Sequence, residues 1–279
     1  MRKEISYVNH LGETLDLYGG GIWCESDELD NWEWADKTLN GRTAGLYREQ
    51  RTIPFNLIIV GRTEQHGLEL RNALFEIMEK DAIAAEPGRL YIDGWYLKCI
   101  AVSSRKDLHW LTDMAAKCEL GLLTDDPVWT KEHSFSMPKD GDGTGLNFPY
   151  NFPYNFAGSS KEASYINNPG IMGAPVRMTV YGPASNPYVI VGKNRYEIEA
   201  EVKSGGKLVI DGTEKTITLY DEYGNAENAF SKRRGVQRQG SGSYVFQPVA
   251  PGENLVSWDG SFACDVVLFE QRSERRWGS

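Results

Sequence analysis

The second half of this 279-residue chain is a succession of short alternating segments with no run at helical spacing. They fall at 176–181, 188–191, 196–202, 207–211, 216–220, 244–246, 254–258 and 264–269, separated by turns that carry Gly, Pro, Asn or Asp. Short strands at such spacing, closed by turn residues, can bury an apolar face only by pairing into an antiparallel β-sandwich. Side chains along a strand point alternately to opposite faces, so the pattern also assigns a core. Val176, Met178, Val180, Ile198, Ala200, Val202, Leu208, Ile210, Ile217, Leu219, Val267 and Phe269 are expected to point inward.

The first half mixes strands with one helix. A strand from Leu15 to Trp23 begins with alternation and breaks at Gly19, Gly20 and Gly21, where backbones can approach closely. That glycine run lacks the Gly-Lys-Ser/Thr ending of a phosphate loop, and no helical pattern follows it. The segment 47–60 reads as β, with Pro54 marking an edge or a bulge. Thr63 and Glu64 then open a helix whose apolar residues Leu70, Leu74, Ile77 and Met78 recur at spacings of three and four, up to about Lys80. Strands at 89–93 and 95–102 form a hairpin around Asp93-Gly94, and another strand covers 114–123.

Between the halves lies the run Lys139-Asp-Gly-Asp-Gly-Thr-Gly145, followed by the repeat Asn147-Phe-Pro-Tyr-Asn-Phe-Pro-Tyr-Asn-Phe156. Pro149 and Pro153 fix φ and bias Phe148 and Phe152 toward extended backbone, so neither a helix nor a central strand runs through. The rings are too apolar to leave in water, and the segment is expected to be a hinge that packs on the second domain. Three regions follow: an N-terminal domain over 1–138, a hinge over 139–156, and a C-terminal β-sandwich over 157–279. The fold class is mainly β with a single helix.

Composition narrows the chemistry. A formal net charge of −9 leaves no basic face for specific nucleic-acid binding, although an acidic surface suits DNA that slides past without sticking. The opening Met-Arg-Lys-Glu-Ile-Ser has no apolar stretch, which implies folding in a cytoplasm and no membrane insertion. Cys24, Cys99, Cys118 and Cys264 lack zinc or disulfide-framework spacing. His10, His66, His109 and His133 are isolated from one another in sequence and have no nucleophile motif beside them. Asp140, Asp142 and Thr144 have the odd-position spacing of a calcium loop, but Asn151 stands where a bidentate Glu is needed. Glu197, Glu199 and Glu201 share one strand face and read as solvated. Lys232-Arg-Arg-Gly-Val-Gln-Arg238 is a basic loop suited to an acidic partner surface. No catalytic, cofactor-binding or metal-binding residue is assigned, and no enzymatic activity is expected. Six of the eight tryptophans lie in the first half, which favours adhesive surfaces there, with Trp32 and Trp34 the positions to probe.

Several stretches together resemble the distal tail protein (Dit) family of long-tailed phages and prophages. They are the hinge 147–156; Gly173-Ala-Pro-Val-Arg-Met-Thr-Val-Tyr-Gly-Pro-Ala-Ser-Asn-Pro187; Ser204-Gly-Gly-Lys-Leu-Val-Ile-Asp-Gly212 with Lys215-Thr-Ile-Thr-Leu219; Pro251-Gly-Glu-Asn-Leu-Val-Ser-Trp258; and Phe269-Glu-Gln-Arg-Ser-Glu-Arg-Arg-Trp277. The resemblance implies a ring-forming N-terminal domain and a galectin-like C-terminal sandwich, assembled as a hexameric hub of the tail-tip baseplate. It further implies the tail tube protein, a tail-associated tip, lysin or fibre hub protein and receptor-binding proteins as partners, with DNA passing through the channel and a place in the virion after assembly in the host cytoplasm. The alternative is a carbohydrate-binding, lectin-like module for host-surface recognition, using Tyr188, Tyr220 or Trp258 as a stacking platform.

Overall fold

The computed structural model of the chain describes residues 4–25, 27–106, 115–139 and 164–276. The 147–156 repeat, the Asp140–Thr144 spacing, His109, Trp110 and Trp277 lie outside them. Two compact units form: Met1–Lys131 with Gln271–Ser279, and Glu132–Glu270. Both are built on antiparallel strands, and α1 (Glu64–Ala84) is the one α-helix among the described residues.

In the first unit the strands run Thr14–Asp16, Ile5–Val8, Gly88–Ile92, Trp95–Lys106, Ala115–Thr124, Arg51–Val60, Ile22–Glu25 and Tyr18–Gly19, each hydrogen-bonded to the next. Asp93 and Gly94 link Ile92 to Trp95 with φ of 50° and 80°, the doubly positive turn that matches strand twist. Pro54 pairs with Gly121 on one side, while the strand on the other side reaches only Asn56. It therefore sits at a local edge where no ladder amide is lost. Thr63 caps α1, its Oγ1 accepting the amide of His66 at 3.2 Å. The helix continues a turn past Lys80 to a left-handed Ala85. Apolar periodicity could not show that turn, because it carries the exposed Ile83 and buries Asp81 instead. Leu74 and Met78 join Phe55, Leu57, Leu90, Tyr7 and Trp129 in one core.

The second unit is the expected sandwich. Ala226–Asn228, Thr216–Tyr220, Lys207–Asp211, Val176–Tyr181 and Cys264–Arg272 form one sheet. Ser164–Asn168, Gly252–Ser257, Tyr188–Val191 and Asn194–Glu197 form the other. Val176, Met178, Val180, Leu208 and Ile210 meet Ile166, Val189, Val191 and Val256 in a shared core.

The structure corrects the strand assignment in three places. In the last strand Cys264, Val266 and Leu268 face the core, so Val267 is only half-buried and Phe269 is buried under the Arg177 guanidinium, 5.1 Å from its ring centroid. The 196–202 run is interrupted after Glu197, because the Ile198 and Glu199 amides donate to Pro187 and Lys232 carbonyls. Residues 244–246 form no strand, although Val245 and Phe246 belong to the core.

Candidate assembly surfaces

The residues with chemical potential are tied into structural roles. In the first unit Asp81 on α1 is fully buried, and its Oδ2 accepts the Tyr7 hydroxyl at 2.5 Å. Its Oδ1 accepts the His10 amide at 2.9 Å and lies 2.5 Å from His10 Nδ1. Asp81 is 74 residues from Tyr7 and 71 from His10, so sequence spacing could not show this cluster. Burial first, then the neighbouring Cys99 and Asp81, drive the Tyr7 hydroxyl far above the ordinary phenol range, so it stays protonated. A sealed, protonated tyrosine on a buried carboxylate is a brace between strand and helix and offers no nucleophile to solvent. Gly88 completes it, because a Cβ there would press into Asp81 Oδ2 and the Tyr7 hydroxyl. Gly88→Ala is therefore expected to lose about 1–3 kcal/mol, checked by thermal unfolding; a gain in stability would contradict it.

His66 serves the start of α1, with its Nδ1 accepting the Arg62 amide at 3.1 Å. His133 pairs with the buried Glu270 at 2.9 Å within the second unit. Cys99, Cys118 and Cys264 are buried and Cys24 is half-buried, and none of the four forms a disulfide. Among the described residues no group of three or more His, Cys, Asp or Glu could hold a metal ion, and no helix is long and apolar enough to cross a membrane.

The charged motifs of the second unit pair with one another. Glu197 binds Arg195 at 2.7 Å, Glu199 binds Arg234 at 2.7 Å, and Glu201 accepts the Ser185 hydroxyl. In the basic loop Lys232 meets Glu227 at 2.6 Å, and the Arg233 guanidinium lies 3.6 Å from the Phe230 ring centroid. The aromatic platforms of the lectin reading are covered as well. Arg195 lies 3.7 Å over Tyr188, Lys207 sits 5.1 Å over Tyr220, and Trp258 packs on the core with its indole N–H on the Phe262 carbonyl. A sugar would first have to displace those cations.

One open surface lies in the first unit. Ala35–Leu39 and Arg42–Tyr47 pair only as a two-stranded sheet around Asn40-Gly41, whose φ values are 51° and 72°. The Asn-Gly pair is a strong hairpin signal that the sequence reading passed over. Every residue of the hairpin is exposed except the half-buried Ala35, with Leu39 at 66% and Leu46 at 61%. Trp32 and Trp34 precede it and are themselves exposed, at 55% and 36%.

The root of this arm is fixed. Arg48 lies 4.9 Å from the Trp34 ring centroid and 3.4 Å from Asp126, and Gln50 donates to Asp125 at 2.5 Å. The Arg51 guanidinium donates to the Asn31 carbonyl. Arg275 forks onto Asp30 at 2.8 and 2.5 Å and lies 4.9 Å from the Trp129 ring centroid, while the Trp129 indole N–H donates to Leu29.

No family model matches this sequence and no curated protein matches it. Solved structures do. The crystal structure of the SPP1 Dit protein (gp 19.1), described as a paradigm of hub adsorption apparatus in phages infecting Gram-positive hosts, matches at TM-score 0.58 and 10% identity, covering 97% of this chain and 99% of that one. The phage P2 baseplate in its activated conformation with calcium matches at TM-score 0.63 and 10% identity, covering 99% and 100%. The strontium form matches at TM-score 0.61 and 11% identity, covering 98% and 99%. Over nearly its whole length the chain therefore has the fold of Dit-like phage tail proteins.

Proposed function

We propose that the chain is a structural hub of a phage tail tip, a hexameric ring of its own copies that joins the tail tube to the host-adsorption apparatus and leaves a channel for DNA. The observation that carries this is the end-to-end fold match to baseplate hub proteins. The tail tube protein would bind one side of the ring, and a tip, lysin or fibre hub protein with receptor-binding proteins the other. The expected division into a ring-forming domain (1–138), a hinge (139–156) and a galectin-like domain (157–279) belongs to this proposal. So do its place in the virion, assembly in the host cytoplasm, and the absence of enzymatic turnover. An acidic chain suits a lumen through which phosphate backbones slide without adhering. Light scattering and negative-stain images should report six chain masses in closed rings. Monomers alone, at high concentration and in moderate salt, would overturn the reading.

A further inference from the structure

We infer that Asn40 is a site of spontaneous modification, where the Gly41 backbone nitrogen displaces the Asn40 side-chain amide and leaves an aspartyl or isoaspartyl linkage at the tip of the Ala35–Tyr47 hairpin. Asn40-Gly41 is the one Asn-Gly step in the sequence. Both residues are exposed, and a Cβ at Gly41 would meet nothing within 4 Å, so the attacking nitrogen is uncrowded. Among the described residues nothing hydrogen-bonds to the Asn40 carboxamide. The three asparagines followed by Ala are held instead. Asn72 lies inside α1, where the helix fixes the next amide. Asn225 donates to Asp221 Oδ2 at 2.7 Å, and Asn228 Oδ1 accepts the Phe230 amide at 2.9 Å.

The closed turn is a brake, because φ values of 51° and 72° fix the backbone around the reacting atoms. Attack therefore waits on the turn opening. A two-stranded hairpin is at best marginally stable in water, and this one pairs with no further strand, so opening costs little. Glycine at 41 supplies the backbone freedom that ring closure then needs. The Gly41 nitrogen bonds to Asn40 Cγ, the Cγ–Nδ2 bond breaks, and Nδ2 leaves as ammonia with the proton of the Gly41 amide, closing a five-membered succinimide. Water opens that ring, at Cγ to give aspartate or at the Asn40 main-chain carbonyl carbon to give isoaspartate. Nothing is oxidised or reduced. In isoaspartate the main chain runs through the former side chain and gains a methylene, so Leu39 and Arg42 lose their pairing across the turn. This open surface of the first unit thus has a limited chemical lifetime.

The test is incubation of the full chain in mildly alkaline buffer, followed by peptide mapping with fragmentation that separates isoaspartate from aspartate and by an assay of released ammonia. Conversion at Asn40 should outrun that at Asn72, Asn225 or Asn228 by about tenfold or more, a barrier lower by about 1.4 kcal/mol. Gly41→Ala should slow it by about tenfold. Since a side chain at that positive φ also strains the turn, Asn40→Gly is the second variant: a Gly-Gly pair keeps the turn, and ammonia release should fall to the background of the other asparagines. Trypsin cleavage after the exposed Lys37 and Arg42 should accelerate as isoaspartate accumulates. Asn40→Asp, which adds the charge without the extra main-chain atom, should stay as resistant as the parent chain. Conversion at Asn40 no faster than at the other three asparagines overturns the site. Unchanged cleavage of the converted chain, or equal sensitivity of Asn40→Asp, overturns the loss of pairing through a lengthened backbone.

Discussion

Replacing Asp81 with Ala is expected to lower the stability of the first unit by about 3–5 kcal/mol, the range for removing one partner from a buried charge network. The carboxylate has no exposed surface and holds the Tyr7 hydroxyl, the His10 amide and the His10 ring. Removing it leaves the buried Tyr7 hydroxyl with only the Cys99 carbonyl at 3.3 Å and takes the acceptor from the half-buried His10 amide, and each unpaired buried group costs about 1–3 kcal/mol. Tyr7→Phe removes one of the carboxylate's partners and should cost about 1 kcal/mol. The unequal responses separate this mechanism from generic loss of packing, since Tyr7→Phe leaves the ring in place. Urea unfolding followed by the fluorescence of the buried Trp95 and Trp129 reads both variants. A loss below about 1 kcal/mol for Asp81→Ala would show that the network roughly breaks even with apolar packing, as some buried ion pairs do.

Why that brace escaped the sequence is a matter of distance. His10 and Asp81 are 71 residues apart, and the helical stripe through Leu74 and Met78 continues at Asp81, where an apolar residue would ordinarily stand. What sequence disclosed well was local chemistry. Thr63 announced the start of α1 because a cap needs only its own next turn, and Asp93-Gly94 announced its hairpin because the turn itself demands two positive φ values. Core positions in the sandwich followed wherever a strand had one polar and one apolar parity, as in Val176, Met178 and Val180. The last strand failed because Val266, Val267, Leu268 and Phe269 are apolar at both parities. Asp265 held the answer, since a carboxylate bound to Ser136 and Tyr181 hydroxyls cannot face the core and forces Cys264 and Val266 inward. The arm was hidden differently: its flanks carry Asp36, Lys37, Thr38, Arg42 and Thr43 with few apolar residues, so it lacks the alternation of a strand that packs on its own chain. A hairpin without a core face is legible only once the structure shows it standing clear.

Stability should collapse in alkali, with each buried acid contributing a slope of about 1.4 kcal/mol per pH unit once its unfolded form ionises. Four groups carry the effect. Burial pushes the Cys99 thiol from an ordinary 9.0 to about 12, with Asp81 adding to the rise against a bond from the Leu90 backbone. Burial and the adjacent Asp265 likewise raise Cys264 to about 12. Tyr7 and Tyr196 are driven by burial well above the ordinary phenol value of 10.0. In each case the folded state keeps a proton that the unfolded chain releases, so the unfolded state binds fewer protons above pH 9 and the slope of stability with pH is negative. The contribution is complete below the thiol value of 9.0 and is lost as pH rises toward about 12. Melting temperature should be level from neutrality to about pH 8.5 and fall steeply above pH 9.5, where thiols and phenols of the unfolded chain ionise together. Tyr196→Phe removes one titrating group from the second unit and should flatten that unit's decline by one group's share, while costing the bond of its hydroxyl to the Gln247 carbonyl at 2.6 Å. A melting temperature that holds level to pH 11, or a decline unchanged in slope by Tyr196→Phe, would mean that buried phenols and thiols do not set the alkaline limit of this fold.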